Sequence, residues 1–92
     1  MLPQRYVLLI SENERDCARL ERLLAQDPSF AYELNRLDAS ADVLNALRAR
    51  RPDLLLLDHR LRRQDGLQLL AKVRADLVGR SIAVVLLADA QD

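Results

Sequence analysis

The sequence predicts an α/β domain of element order βαβαβαβ, a doubly wound parallel sheet with helices on both faces. Three observations lead there. First, Tyr6-Val7-Leu8-Leu9-Ile10, Leu54-Leu55-Leu56-Leu57 and Ile82-Ala83-Val84-Val85-Leu86-Leu87 are short, continuously apolar runs, the pattern of strands covered on both faces. Second, the apolar spacing between those runs changes to a helical period. Third, the strongest breakers of regular structure, Pro3, Pro28, Pro52, Gly66 and Gly79, fall between the apolar segments and not within them. Strands joined by helical crossovers of this length pair in parallel with right-handed connections.

The first strand ends at Ile10. Ser11 and Glu14 then have capping-box spacing, which starts the first helix, and Cys17, Leu20 and Leu24 at i, i+3 and i+7 give it an apolar stripe. Phe30, Tyr32 and Leu34 alternate with Ala31, Glu33 and Asn35, a period of two that predicts a half-solvated second strand at a sheet edge. Ser40 stands before a helix carrying Val43, Leu44 and Leu47. After the third strand, Asp65 and Gln68 form a second capping-box pair ahead of Leu69, Leu70, Val73 and Leu77, and Gly79 suits the C-terminal stop of that helix.

Handedness adds a consequence. A first strand flanked by the second and third puts the first helix on one face and the next two on the other. Middle strands that are apolar on both sides need more than one helix on that first face. The expectation is that the chain is a fragment of a longer one, truncated before the last helices and strand, or that a second copy, as a homodimer, covers the bare face and edge.

Composition narrows the function. The 92 residues hold 14 basic and 14 acidic side chains, half of all residues are apolar, and the net charge is zero; they form one domain, 1–92, with no linker or low-complexity stretch. Zero net charge removes the attraction that drives non-specific binding to nucleic acid or anionic lipid. Arg48, Arg50 and Arg51 end a helix, where cations complement the dipole, and no aromatic residues interleave them, so they read as a solvated face and not a direct nucleic-acid contact. The single cysteine, Cys17, allows no internal disulfide and reads as a packing residue; no Cys/His cluster suggests zinc. No apolar run approaches the roughly 20 residues of a spanning helix, and no signal-peptide layout opens the chain, so a cytoplasmic location and no membrane contact are expected. With both glycines at helix boundaries there is no Gly-rich phosphate loop for a flavin or nucleotide, and no nucleophile–base pair suggests a hydrolase.

In open α/β sheets the working crevice lies beyond the carboxyl ends of the strands, near the point where strand order reverses. Ser11-Glu12-Asn13, Asp58-His59-Arg60 and Ala88-Asp89 meet there. Asp58 ends an apolar strand and so is a half-desolvated carboxylate on a rigid support, able to bind a cation or attack an electrophile. One histidine beside it, His59, reads as structural or solvated.

Pro52-Asp53-Leu54-Leu55-Leu56-Leu57-Asp58-His59-Arg60-Leu61 followed by Asp65-Gly66-Leu67 resembles the phosphoacceptor segment of response-regulator receiver domains. Val7-Leu8-Leu9-Ile10-Ser11-Glu12 resembles the family's first strand and acidic loop, and Val84-Val85-Leu86-Leu87-Ala88 its fourth strand and switch position. The resemblance implies a flavodoxin-like sheet of strand order 2-1-3-4 and a signalling domain of two-component or phosphorelay systems. It would not be an enzyme beyond catalysing its own phosphoryl transfer. Asp58 would take a phosphoryl group from a histidine kinase or phosphotransfer protein and signal to an output domain or effector. Mg²⁺ would be held by Glu12, Asp58 and the Arg60 backbone carbonyl.

The sequence departs from the family at four places. Ser11 and then Glu12 stand where receivers carry two adjacent acids. Losing one carboxylate near 4 Å forfeits roughly 4 kcal/mol of attraction per unit charge at an effective dielectric of 20, so the Mg²⁺ site is weakened. The family's hydroxyl residue after the fourth strand is Ala88, and Arg62 and Arg63 replace the usual Pro-Gly pair. An arginine of the Arg60, Arg62, Arg63 group folded over the acidic pocket would restore some charge. The departures carry an alternative: a degenerate receiver used as a phosphorylation-independent interaction or dimerisation module.

Overall fold

The computed structural model describes residues 2–38, 42–59, 61, 65–76 and 79–87. Seven elements follow in the expected order: β1 (Gln4–Ile10), α1 (Glu14–Ala25), β2 (Ala31–Leu37), α2 (Val43–Ala49), β3 (Leu54–Asp58), α3 (Gly66–Ala75) and β4 (Ala83–Leu87). All strand pairs are parallel and the sheet order is β2-β1-β3-β4. Both the order of elements and the order of strands are those expected.

The sheet separates two cores. Leu8, Ile10, Leu55 and Leu57 point to one side, where they pack with Val43 and Leu47 of α2, Leu69 and Val73 of α3, and Ile82. Val7, Leu9 and Leu56 point to the other, against Cys17, Leu20 and Leu24 of α1. The residues of β1 that alternate between these sides are all but inaccessible, Val7 and Leu8 at 1 % and Leu9 and Ile10 at 0 % exposed; each contributes about 1.5–3 kcal/mol of burial free energy. One helix on one face and two on the other is the arrangement that right-handed crossovers impose. Val85, on the α1 side of β4, stays 46 % exposed.

Two caps differ from expectation. Asn13, not Ser11, is the N-cap of α1, its side chain accepting from the Arg15 N–H at 2.9 Å. The Ser11 hydroxyl is committed elsewhere, as described below. Asp42 caps α2 by accepting from the Asn45 N–H, while Ser40 lies outside the described residues. Asp65 caps α3 as expected, accepting from the Gln68 N–H at 2.8 Å. Helix α3 ends at Ala75, short of Gly79, and no glycine has positive φ. Gly79 is required for closeness instead: a Cβ there would lie 2.0 Å from the Val73 carbonyl oxygen. Arg74 braces the same turn, donating to the carbonyls of Gly79, Arg80 and Ile82.

The amino ends of the strands are closed by polar contacts. Asp53 accepts from the Tyr6 N–H at 2.7 Å and returns its own N–H to the Tyr6 carbonyl at 2.8 Å, which fixes the start of the β1–β3 pairing. Arg50 pairs with Glu33 and lies over the Tyr6 ring, 3.8 Å from its centroid. Burial, with Glu21 close by, pushes the Cys17 thiol above its ordinary pKa, which suits an inert packing residue.

The turn before β2 carries a pH-sensitive pair. Tyr32 donates its hydroxyl to Asp27 at 2.6 Å, and the Ser29 N–H donates to the same carboxylate at 2.8 Å. The Tyr32 bond first, and the Ser29 bond after it, hold the Asp27 carboxyl below its ordinary pKa, and the same contact raises that of Tyr32. A depressed carboxyl stabilises the fold above about pH 4 and loses that contribution as pH falls through the folded-state value; a raised phenol stabilises below about pH 10 and loses it above. Tyr32→Phe is therefore expected to move the acid-unfolding midpoint to higher pH and to abolish the Tyr32 part of the alkaline limb, as followed by circular dichroism. An unchanged acid midpoint would count against the pair.

Candidate functional site

Parallel pairing of β1 with β3 brings the carboxyl ends of both strands to one rim. The paired register ends at Ile10 opposite Leu57, so the next residues, Ser11 and Asp58, face one another as the strands leave the sheet. The Ser11 hydroxyl donates to Asp58 Oδ2 at 3.2 Å. Asp58 is half-buried and Ser11 wholly so.

Every polar group of Ser11 is engaged. Its N–H donates to the Leu37 carbonyl at 3.1 Å, its carbonyl accepts from the Arg36 guanidinium at 2.9 Å, and its hydroxyl oxygen accepts from the Asn13 N–H at 3.1 Å. With that acceptor position taken, the single hydroxyl proton goes to Asp58. Glu12, half-buried, follows on the same turn.

The far side of the rim is set by backbone. The His59 N–H donates to the Leu87 carbonyl at 2.9 Å, and the His59 carbonyl accepts from the Gly66 N–H at 3.1 Å. The residue after Asp58 therefore ties β3 to β4 and to the start of α3. Gly66 abuts Asp58 directly: a Cβ there would lie 2.5 Å from the Asp58 carbonyl oxygen and 2.9 Å from Leu86 Cδ1. The Asp-Gly pair that the sequence singled out thus caps α3 through Asp65 and allows α3 to approach the end of β3 through Gly66.

Arg60, Arg62, Arg63, Ala88 and Asp89 lie outside the described residues. Sequence reading missed Arg36. Its signal was present: Arg36 continues the alternation of Tyr32 and Leu34, both packed toward α1, and a guanidinium at an inward position of a strand asks for an acceptor.

Oxygen donors of this kind suit a hard divalent cation. Among the described residues no three His, Cys, Asp or Glu side chains form a group that could hold a metal ion. Glu12 and Asp58 fit Mg²⁺ in chemistry, and the neutral Ser11 hydroxyl stands where a second anion would add charge. A separate groove of about 390 Å³ lies at the start of β2 between Leu24, Phe30 and Tyr32, on β2 and α1 rather than at the β1–β3 rim.

No family model and no curated protein matches the chain. Solved structures do. The phosphorylated cyanobacterial phytochrome response regulator RcpA superposes with a TM-score of 0.81 at 27% identity, over 97% of this chain and 68% of that one. The Mn²⁺-bound form of the response regulator Rcp1 gives 0.80 at 24% identity, over 96% and 68%. The chain has a response-regulator receiver fold. A sensor protein from Polaromonas sp. JS666 is also similar to this chain, with a TM-score of 0.73 at 25% identity, over 96% of this chain and 68% of that one. Among the described residues, no helix is long and apolar enough to cross a membrane.

Proposed function

We propose that this receiver accepts a phosphoryl group on Asp58 from the phosphohistidine of a histidine kinase or phosphotransfer protein and signals to an output domain or effector in the cytoplasm. The observation that carries the reading is the placement of Asp58: a half-buried carboxylate at the end of β3 whose Oδ2 is held by the buried Ser11 hydroxyl at 3.2 Å. In the step, a carboxylate oxygen forms a bond to phosphorus as the N–P bond breaks. The imidazole nitrogen keeps the electron pair and takes up a proton from water, leaving a mixed anhydride on Asp58. Such transfer depends mostly on positioning and charge neutralisation. Ser11 supplies positioning by fixing the carboxylate. Glu12, Asp58 and the Arg60 carbonyl would hold Mg²⁺, which when bound neutralises charge on the phosphoryl oxygens.

Incubation with Mg²⁺ and acetyl phosphate, followed by intact mass, tests this. One added phosphoryl group is expected on the native chain and none on Asp58→Asn that keeps its circular dichroism. No addition to the folded native chain, or addition that persists in Asp58→Asn, overturns the reading. The Ser11 hydroxyl in place of an acid favours a second reading, a phosphate-independent interaction module; partner binding that is the same for native chain and Asp58→Asn, in a chain that takes no phosphoryl group, would select it.

A further inference from the structure

We infer that Arg36 is the positioning residue of the candidate site, holding the β1–α1 turn so that Ser11 and Glu12 are presented to Asp58; this rests on the reading of Asp58 as the acceptor. Arg36 lies near the end of β2, 25 residues from the turn in sequence. Its side chain is 24 % exposed. One guanidinium nitrogen donates to the Ser11 carbonyl at 2.9 Å and to Asp38 at 2.7 Å, and the other lies 3.7 Å from Glu14. Glu14 and Asp38 are 87 % and 58 % exposed, so those ion pairs are screened by solvent and contribute little. The partly buried bond to the Ser11 carbonyl is the consequential one.

The location of that carbonyl explains why. It belongs to the peptide joining Ser11 to Glu12, so the arginine sets the direction in which Glu12 leaves the strand. The adjoining Ser11 N–H is fixed by Leu37, the neighbour of Arg36. The end of β2 therefore grips Ser11 through both of its backbone groups, and the hydroxyl, bonded to Asn13 and Asp58, is left with one orientation. The acceptor carboxylate is positioned by a strand that is not the neighbour of its own in the sheet. A lysine could replace the charge but not the fork that spans the Ser11 carbonyl, Asp38 and Glu14.

The test uses the full chain in variants Arg36→Gln and Arg36→Lys, with Glu14→Gln as control. Two quantities are read: the rate of phosphoryl addition by acetyl phosphate against Mg²⁺ concentration, and hydrogen exchange of the Ser11 and Asn13 amides. For Arg36→Gln the Mg²⁺ concentration giving half-maximal rate should rise roughly tenfold, with a smaller change in the maximal rate, and both amides should lose protection while core amides of β1 keep theirs. Arg36→Lys should recover part of the loss, and Glu14→Gln should stay within about twofold of the native chain. A Mg²⁺ dependence and amide protection both unchanged in Arg36→Gln overturn the inference. If the native chain takes no phosphoryl group, the proposed function falls by itself; the positioning role is then read from exchange, and unaltered protection of Ser11 and Asn13 overturns it.

Discussion

Gly66→Ala should destabilise the domain by about 3 kcal/mol, at the upper end for overpacking, because the added methyl has no place to go. Its Cβ would meet the Asp58 carbonyl oxygen at 2.5 Å and Leu86 Cδ1 at 2.9 Å. The leucine can turn away, but the carbonyl is backbone at the end of a buried strand. Relief requires α3 to back off, and that strains the Gly66 N–H bond to His59 and the contacts of Leu69 and Val73 with the core. Of a total stability of about 5–15 kcal/mol, this is a large fraction, and in a chain of this size it corresponds to roughly 15 °C in Tm. Leu67→Ala, one residue on at a side chain 54 % exposed, should stay within about 0.5 kcal/mol. Thermal unfolding of the two variants side by side decides the matter. A Gly66→Ala melt within about 3 °C of the native chain would show that α3 does not bear on Asp58 as closely as described.

Ser11→Asp is the second large effect, and its sign depends on the cation. Ser11 is 0 % exposed and its hydroxyl donates to Asp58. A carboxylate in its place loses that donor and sets a like charge beside Asp58, so one of the two acids must take up a proton or remain ionised at a cost of several kcal/mol. In EDTA the variant should melt roughly 10–20 °C below the native chain. Mg²⁺ should reverse the balance if two adjacent acids and Asp58 bind it, because a ligand bound only by the folded state stabilises it by RT ln(1 + [L]/Kd), about 2.7 kcal/mol at a hundredfold excess over Kd. The native chain should show a much smaller Mg²⁺ response. Melting curves with and without Mg²⁺ test this, and a variant that melts alike in both would mean that Ser11 does not occupy a ligand position.

These effects divide cleanly into what sequence carries and what it does not. The apolar runs, the alternation at Tyr32 and Leu34 and the helical stripes determine the seven elements, because the period of apolar side chains is a local property of the chain. Right-handed crossover then determines which helices share a face, and the two cores form on the sides so assigned. Asp58 at the end of a continuous leucine run, and Asp65 as a cap, are equally local, and the structure places both as the sequence implies.

Polar partnerships across long sequence separations are different. Ser11 has the spacing of a capping box, and nothing in its neighbours says that its hydroxyl serves Asp58, 47 residues away, while Asn13 takes the cap. Gly79 has the look of a helix stop, and its reason is the close approach of the Val73 carbonyl. Arg36 is one of thirteen arginines in the sequence, and only the pairing of β2 with β1 puts it against the Ser11 carbonyl. Strand register and the direction of a side chain at a strand end decide such contacts, and neither is encoded by local propensity. The sequence by itself determined the sheet, its helices and the rim on which Asp58 sits; the tertiary structure decided how that rim is held, because a hydrogen bond needs two groups brought within about 3 Å and only the folded sheet does that.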